Sequence, residues 1–274
     1  MPTSIEQRAL QLGDKLGPKI GPTLTYQASG DDGRMHTVRL AQYFNGLVTE
    51  IDGEAWVQAE ATVANGFIAA PASVVDCWAV FTADEIAAST SCRAAISAIR
   101  ANWPLVFDEL RKANQGSVRS LVGAIATIAI ETASTWCPVR ELYNDPPGAD
   151  AYFESMYGVG QHPSAEQMGH TQPGDGARYF GRGFIQLTWK NSYAAMGTTL
   201  GIDLVGSPDL ALDAETAARI FAVYWRNRNI QEQADREDWT AVRRSVQGGS
   251  AGLDRLTAIA TVLLPVARSR GLLN

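Results

Sequence analysis

The sequence predicts a mainly α-helical domain over residues 82–274, preceded by a small β-containing module over residues 1–81. Two observations carry this. Short alternating runs separated by turn residues crowd the first eighty positions, and from Thr82 onward apolar residues recur at helical spacing behind recognisable caps. A third observation sets the scale: 274 residues suit one large domain or a domain with a small companion.

In the first module, Thr23 to Gln27, His36 to Phe44 and Leu47 to Asp52 read as strands. The Asn45-Gly46 pair between two of them is a hairpin signal, because both residues tolerate positive φ. Ala55 to Val63 reads either as a further strand or as a short helix. Nothing in this module suggests chemistry, and it is open to two readings: a unit that targets the protein to a wall or particle, or a packing cap on the second domain.

At the second domain's start, Thr82-Ala-Asp-Glu85 fits a capping box, with a helix to about Arg93 and another up to Asn102. Pro104 is expected in the first turn of a further helix ending near Asn114, since proline is tolerated there and not in a helix interior. Residues 117–131 hold Val118, Leu121, Val122, Ile125, Ile128 and Ala129 with almost nothing polar between, which predicts a helix buried nearly all round. A long irregular stretch from Pro138 to about Gly183 reads as a functional loop. Helices are expected again over 211–227, capped by Asp213, over 239–246 and over 253–270.

Composition narrows the function. With 46% hydrophobic and 19% charged residues the chain is of globular type, and a net charge of −6 argues against a general nucleic-acid binder. Cys77, Cys92 and Cys137 show no metal or disulfide spacing and read as reduced. The N-terminus lacks a basic segment followed by an apolar run, and no apolar stretch of about 18 residues occurs, so neither a secretory signal nor membrane insertion is expected. The expectation is synthesis in the cytoplasm. The charge is uneven: residues 1–80 hold five Lys/Arg against nine Asp/Glu, whereas residues 172–274 hold twelve against ten.

Glu131 is the anomaly among the candidate residues. A carboxylate at the end of an apolar helix loses solvation, an environment that keeps an acid protonated and ready to donate. The alternative is a helix-end glutamate that reaches water or pairs with an arginine. Glu141 lies ten residues on, past Pro138, so a chain reversal could set it across a cleft from Glu131. Two carboxylates in unlike surroundings are what glycoside hydrolysis requires. Glu154 is a rival second carboxylate. Residues 174–193 form a Gly-rich stretch carrying Arg178, Tyr179, Arg182, Gln186, Thr188 and Tyr193, suited to a sugar-binding wall; Arg178 and Arg182 could equally hold the loop against carboxylates. Gln247 sits before a Gly-rich turn that could present it to substrate.

The stretches AIETASTWCPVRE (129–141), AYFESMYG (151–158), GDGARYFGRGFIQLTWKNSY (174–193), GIDLVGSPDLALD (201–213) and VRRSVQGGSAGLDR (242–255) resemble the family 19 glycoside hydrolases, more closely their phage endolysin and bacterial lysozyme-like branch than plant chitinases. The resemblance covers about residues 82–274. It implies a lysozyme-like helical domain that cleaves β-1,4 bonds next to N-acetylhexosamine units by inversion, with no cofactor and no metal. Glu131 is implied as general acid, Glu141 as general base and Thr188 as the hydroxyl that helps hold the water. Gln186 is implied to contact sugar, and Tyr193 and Arg255 to line or support the cleft. Three positions depart from the family pattern: Ile130 precedes the glutamate where many members have His, His170 replaces a common Asn, and Gln247 replaces Asn.

The expected function is that of a peptidoglycan-degrading endolysin cutting between N-acetylmuramic acid and N-acetylglucosamine. Its partner would be the bacterial cell wall, reached after release or within a phage particle, and the protein would act as a monomer. A chitinase of the same family is the alternative within the class. A non-enzymatic wall-binding or virion-associated protein on a degenerate hydrolase fold is the alternative outside it.

Overall fold

The computed structural model describes residues 24–29, 34–43, 46–51, 54–57, 77–141 and 148–273. The chain divides between Asp76 and Cys77 into two units, where the sequence places a boundary at 81/82. The first unit holds a four-stranded antiparallel meander in the order β1 (Leu24–Ser29), β2 (Met35–Tyr43), β3 (Gly46–Ile51) and β4 (Glu54–Val57). Tyr43 pairs with Gly46 in the antiparallel register of β2 and β3. Asn45 itself and residues 58–63 of the expected fourth run lie outside the described residues.

The second unit is mostly helical. After α1 (Cys77–Val80), helix α2 (Ala83–Ser89) opens with the expected capping box: the Glu85 N–H donates to Thr82 Oγ1 at 3.2 Å, and the Thr82 N–H to Glu85 Oε2 at 2.8 Å. It stops at Thr90, short of Arg93, where the Thr90 hydroxyl turns back to the Ile86 carbonyl at 2.7 Å. A 3₁₀ turn over Arg93–Ala95 leads into α3 (Ile96–Lys112).

Helix α3 corrects the sequence reading, because Pro104 lies in its interior instead of starting a new helix. An interior proline costs about 3 kcal/mol. The same helix buries Trp103, Val106, Phe107 and Leu110, and each such side chain contributes roughly 1.5–3 kcal/mol. Burial wins, so the helix runs on through the proline.

Helix α4 (Val118–Glu131) is capped by Ser117, whose Oγ accepts the Ser120 N–H, and it is buried continuously from Ser120 to Ala129. It forms the axis of the domain, and its last residue is Glu131. The long stretch after Pro138 is less irregular than expected. It contains β5 (Val139–Arg140), α5 (Ala149–Tyr157), the one-turn α6 (Asp175–Arg178) and β6 (Arg182–Gly183), with β5 and β6 paired antiparallel. Beyond it come α7 (Lys190–Leu200), a 3₁₀ turn over Pro208–Leu212, and α8 (Ala214–Asn227). Asp213 caps α8 as expected, accepting the Thr216 N–H at 2.9 Å. Then follow α9 (Ile230–Asp235), which the sequence did not signal, α10 (Trp239–Gln247) and α11 (Leu253–Ser269).

Helices α9 and α11 pack along α4, and α8 packs along α3. Leu256, Ile259 and Leu263 of α11 are buried in the same core as Leu121, Ile125 and Ile128 of α4. At Gly123 a Cβ would stand 3.4 Å from the Trp225 ring, so glycine admits that indole against α4, where its Nε1 donates to Ser120 Oγ at 2.8 Å. Among the described residues no helix is long and apolar enough to cross a membrane.

Candidate active site

Glu131 ends α4 facing α10. Its Oε1 accepts a hydrogen bond from Arg243 Nη1 at 2.9 Å. Side-chain exposures are 15% for the glutamate and 3% for the arginine, so the pair is largely desolvated. Of the two sequence readings, the arginine-paired one therefore describes this carboxyl, not an unpartnered acid in an apolar pocket. Arg243 is in turn held by its Nε, which donates to the Ala251 carbonyl at 3.0 Å. Tyr224 of α8 steadies the same helix by donating to the Val246 carbonyl at 2.7 Å. Gly252 closes the arrangement: its φ of +79° suits glycine, and a Cβ there would come within 3.1 Å of Ile130.

The chain leaves Glu131 through a turn in which Ala133, Ser134 and Trp136 all have positive φ. Non-glycine residues in this region cost about 1–3 kcal/mol each and persist where their surroundings over-determine them. Three contacts do so. Asn102 Nδ2 donates to the Trp136 carbonyl at 2.7 Å, the Trp136 ring is fully buried against Trp103, and Arg255 Nη2 donates to Ser134 Oγ. Arg255 thus supports the turn from α11.

Beyond the turn, β5 delivers Glu141 to the 181–188 loop. The Glu141 N–H donates to the Gly181 carbonyl at 2.9 Å, and the Gly181 N–H returns a bond to Glu141 Oε2 at 3.1 Å. The other carboxylate oxygen, Oε1, accepts from the Tyr157 hydroxyl at 2.7 Å. A Cβ built on Gly181 would lie 2.8 Å from Gln186 Oε1, 3.1 Å from Glu141 Oε2 and 3.4 Å from Thr188 Oγ1. Three residues singled out in the sequence, Glu141, Gln186 and Thr188, therefore converge on one glycine. Gln186, itself at φ +53°, donates from Nε2 to the Val139 and Gly183 carbonyls, both at 3.1 Å, and the Thr188 hydroxyl donates to the Gln186 carbonyl at 2.9 Å. Part of the Gln186 amide is thus committed to holding β5 beside the loop.

Glu154 takes a different place. Its two carboxylate oxygens accept the Gly174 and Ala177 N–H groups, at 2.9 and 3.1 Å, tying α5 to the first turn of α6. Tyr179 and Tyr193, expected on a sugar-facing wall, are 2% and 0% exposed. They brace the loop from behind. Tyr179 donates to the Val205 carbonyl at 3.2 Å, and Tyr193 donates to the Phe180 carbonyl at 2.8 Å while accepting from Arg182 Nη1 at 3.0 Å. Burial pushes the Tyr193 phenol up to about 12 against the opposing Arg182 charge. Arg182 also pairs with Asp209 at 2.7 Å, and Arg178 donates to the Val205 and Gly206 carbonyls at 3.1 and 2.8 Å, so both arginines hold the loop. Gln247 is exposed at the end of α10, with Nε2 3.4 Å from the Ala251 carbonyl.

Three residues of the network went unmarked in the sequence. Arg243 shares the apolar face of α10 with Trp239, Val242 and Val246, a phase that could have flagged it as buried and in need of a counter-charge. Tyr157 offered only its place in the 151–158 stretch. Its phenol is raised above the ordinary value by burial first, then by the hydrogen bond to Glu141 and that group's charge. Asp175 is buried, which pushes its carboxyl up, but the Lys190 ammonium at 3.0 Å and the Thr171 and Gln172 N–H groups more than offset this and hold it below the usual range. The three cysteines are unbridged, and no cluster of metal-ligating side chains occurs among the described residues.

Comparison with known proteins places these elements in context. Residues 125–238 match the family model described as chitinase class I, of glycoside hydrolase family 19. The chain is 32% identical over 117 residues to the endochitinase At2g43610 of Arabidopsis thaliana, covering 43% of this chain and 40% of that protein. It is 31% identical over 117 residues to a glycosyl hydrolase family 19 domain-containing protein of Haemophilus influenzae, covering 42% of this chain and 56% of the relative. The chain thus spans about half the length of these relatives. Chitinase C from Streptomyces griseus HUT6037 superposes with a TM-score of 0.46 at 20% identity, over 70% of this chain and 95% of that one.

Proposed function

We propose, for a chain whose residues 125–238 are of the family 19 glycoside hydrolase type, that the protein hydrolyses β-1,4 bonds in an N-acetylhexosamine polymer, and that this polymer is peptidoglycan. The observation that carries the reading is the unlike setting of two carboxylates. Glu131 is paired with a buried arginine at a helix end, while Glu141 lies in a polar corner made by the Tyr157 hydroxyl, the Gly181 N–H and the Thr188 side chain.

In this reading Glu131 takes up a proton from solvent before each turnover, keeps its hydrogen bond from Arg243, and delivers that proton to the departing glycosidic oxygen. Glu141 takes a proton from a water on the opposite face of the sugar, and Thr188, beside Gly181, helps hold that water. Inversion requires the carboxyl groups to stand about 6.5–9.5 Å apart so that the water fits between. No cofactor enters the scheme. The enzyme meets the cell wall as a monomer, after release from the cell or as part of a phage particle. Glu141 is favoured over Glu154 because it meets Gln186 and Thr188 around Gly181, whereas the Glu154 carboxylate ties α5 to the first turn of α6.

The closer resemblance of the five stretches taken together to the endolysin branch supports peptidoglycan. Chitin is the second reading, favoured by the similarity to proteins named endochitinases. Mass spectrometry of products from purified peptidoglycan and from chitin decides between them, since the reducing-end sugar identifies the bond cut. Loss of product with Glu131→Gln in a folded protein is the expected result. Undiminished release by that variant would end the assignment.

A further inference from the structure

Glu141 does not reach its position unaided, and the chain of contacts behind it can be followed to a buried imidazole. Tyr157, the last residue of α5, donates its hydroxyl to Glu141 Oε1 at 2.7 Å. The Tyr157 ring is fixed on two sides, stacked with Phe153 at 6.4 Å and 15° and edge-on to Trp189 at 5.1 Å. Its backbone carbonyl faces His170 Nδ1 at 2.7 Å, and His170 Nε2 accepts the Lys190 N–H at 3.2 Å. Because Nε2 is occupied as an acceptor, the ring proton sits on Nδ1 and is donated to Tyr157. His170 is 0% exposed, so both bonds are made away from water. They join the end of α5 to the start of α7.

Resting on the assignment of Glu141 as general base, we infer that Tyr157 is a positioning residue for that carboxylate, and that His170 holds Tyr157 in place through its backbone carbonyl. The phenol fixes one oxygen of the carboxylate, and the Gly181 N–H fixes the other. A base aimed at a water must hold its direction when the substrate is bound, and a carboxylate with both oxygens tethered cannot rotate away.

The test uses the full chain and reducing-end release from purified peptidoglycan and from a chitin hexamer, across pH. Losing a hydrogen bond to a charged group costs enough that Tyr157→Phe should lower kcat about tenfold or more. Removing a donor from an ionised carboxylate disfavours the ionised form. The acidic limb of the kcat profile should therefore move to higher pH, a change that mere loss of folded protein does not produce. His170→Asn can still donate from its amide near the former Nδ1 and should keep the wild-type profile, whereas His170→Leu should shift it as Tyr157→Phe does. An unmoved limb in Tyr157→Phe, while Glu141→Gln is inactive, overturns this inference and leaves the base assignment standing. Full activity in Glu141→Gln removes the base and the inference with it. A readout independent of turnover is the Tyr157 phenol signal followed by NMR titration. Glu141→Gln should let it ionise at lower pH, and an unchanged titration overturns the contact even if neither polymer is cut.

Discussion

Arg243 and Glu131 form a largely desolvated ion pair, Nη1 to Oε1 at 2.9 Å, that joins the end of α4 to the middle of α10. Removing one partner of such a pair leaves an uncompensated charge and costs about 3–5 kcal/mol, far more than losing an exposed bridge. Arg243→Ala should therefore lower the denaturation midpoint and abolish hydrolysis together. Glu131→Gln keeps an acceptor for Arg243 but leaves the buried guanidinium without its counter-charge, so it should abolish hydrolysis and lower the midpoint too, by less than Arg243→Ala. Urea unfolding alongside product release measures both, and an unchanged midpoint in either variant would contradict the pairing argument.

Gly181 offers a finer probe. An added methyl would fall within 3.1 Å of both Gln186 Oε1 and Glu141 Oε2, displacing the two side chains together. Gly181→Ala should reduce kcat by about tenfold or more, because misplacing a reacting group by about 1 Å is enough for a large rate loss. Activity at normal levels in a folded Gly181→Ala would show that these side chains can shift at no catalytic cost.

Glu154 and Glu141 predict opposite balances of damage. Glu154→Gln loses the charge that receives two loop N–H groups and should destabilise the fold by about 1–3 kcal/mol. It should retain a substantial fraction of wild-type turnover per folded molecule, while Glu141→Gln should retain almost none. The reverse ranking would restore Glu154 as the second carboxylate.

Asp175 makes the fold sensitive to acid. Its carboxyl is held below the usual range when folded. The stability it contributes is present above the ordinary carboxylate range, near pH 4, and is lost as pH falls through the lower folded value. Asp175→Asn should be less stable than the wild type at pH 7, and the gap should narrow below pH 4. A gap that widens on acidification would mean that the Lys190 pair does not govern this site.

The sequence made the domain's axis legible because the two kinds of signal agreed there. Ser117 caps, the apolar run through Ala129 is unbroken, and the helix ends at its one carboxylate. The caps at Thr82 and Asp213 were readable for the same local reason. Pro104 was misleading because the local penalty is visible in the sequence while the burial that outweighs it is a tertiary quantity. Glu141, Gln186 and Thr188 could be singled out by residue type, but their meeting at Gly181 depends on the β5–β6 pairing of segments some forty residues apart. Tyr179 and Tyr193 were misplaced because an aromatic in a Gly-rich loop carries the same letters whether it faces sugar or packs beneath the loop.

The strained turn after Glu131 has a consequence for any attempt to shorten the protein. Its conformation is dictated by Asn102 and Arg255, and the carboxylate before it is anchored by Arg243. All three lie outside residues 125–238, the portion that matches the family. That portion carries both carboxylates and the residues that hold Glu141, yet not the side chains that anchor Glu131 and the turn after it. A fragment trimmed to it would keep the hold on Glu141 and lose the frame around Glu131.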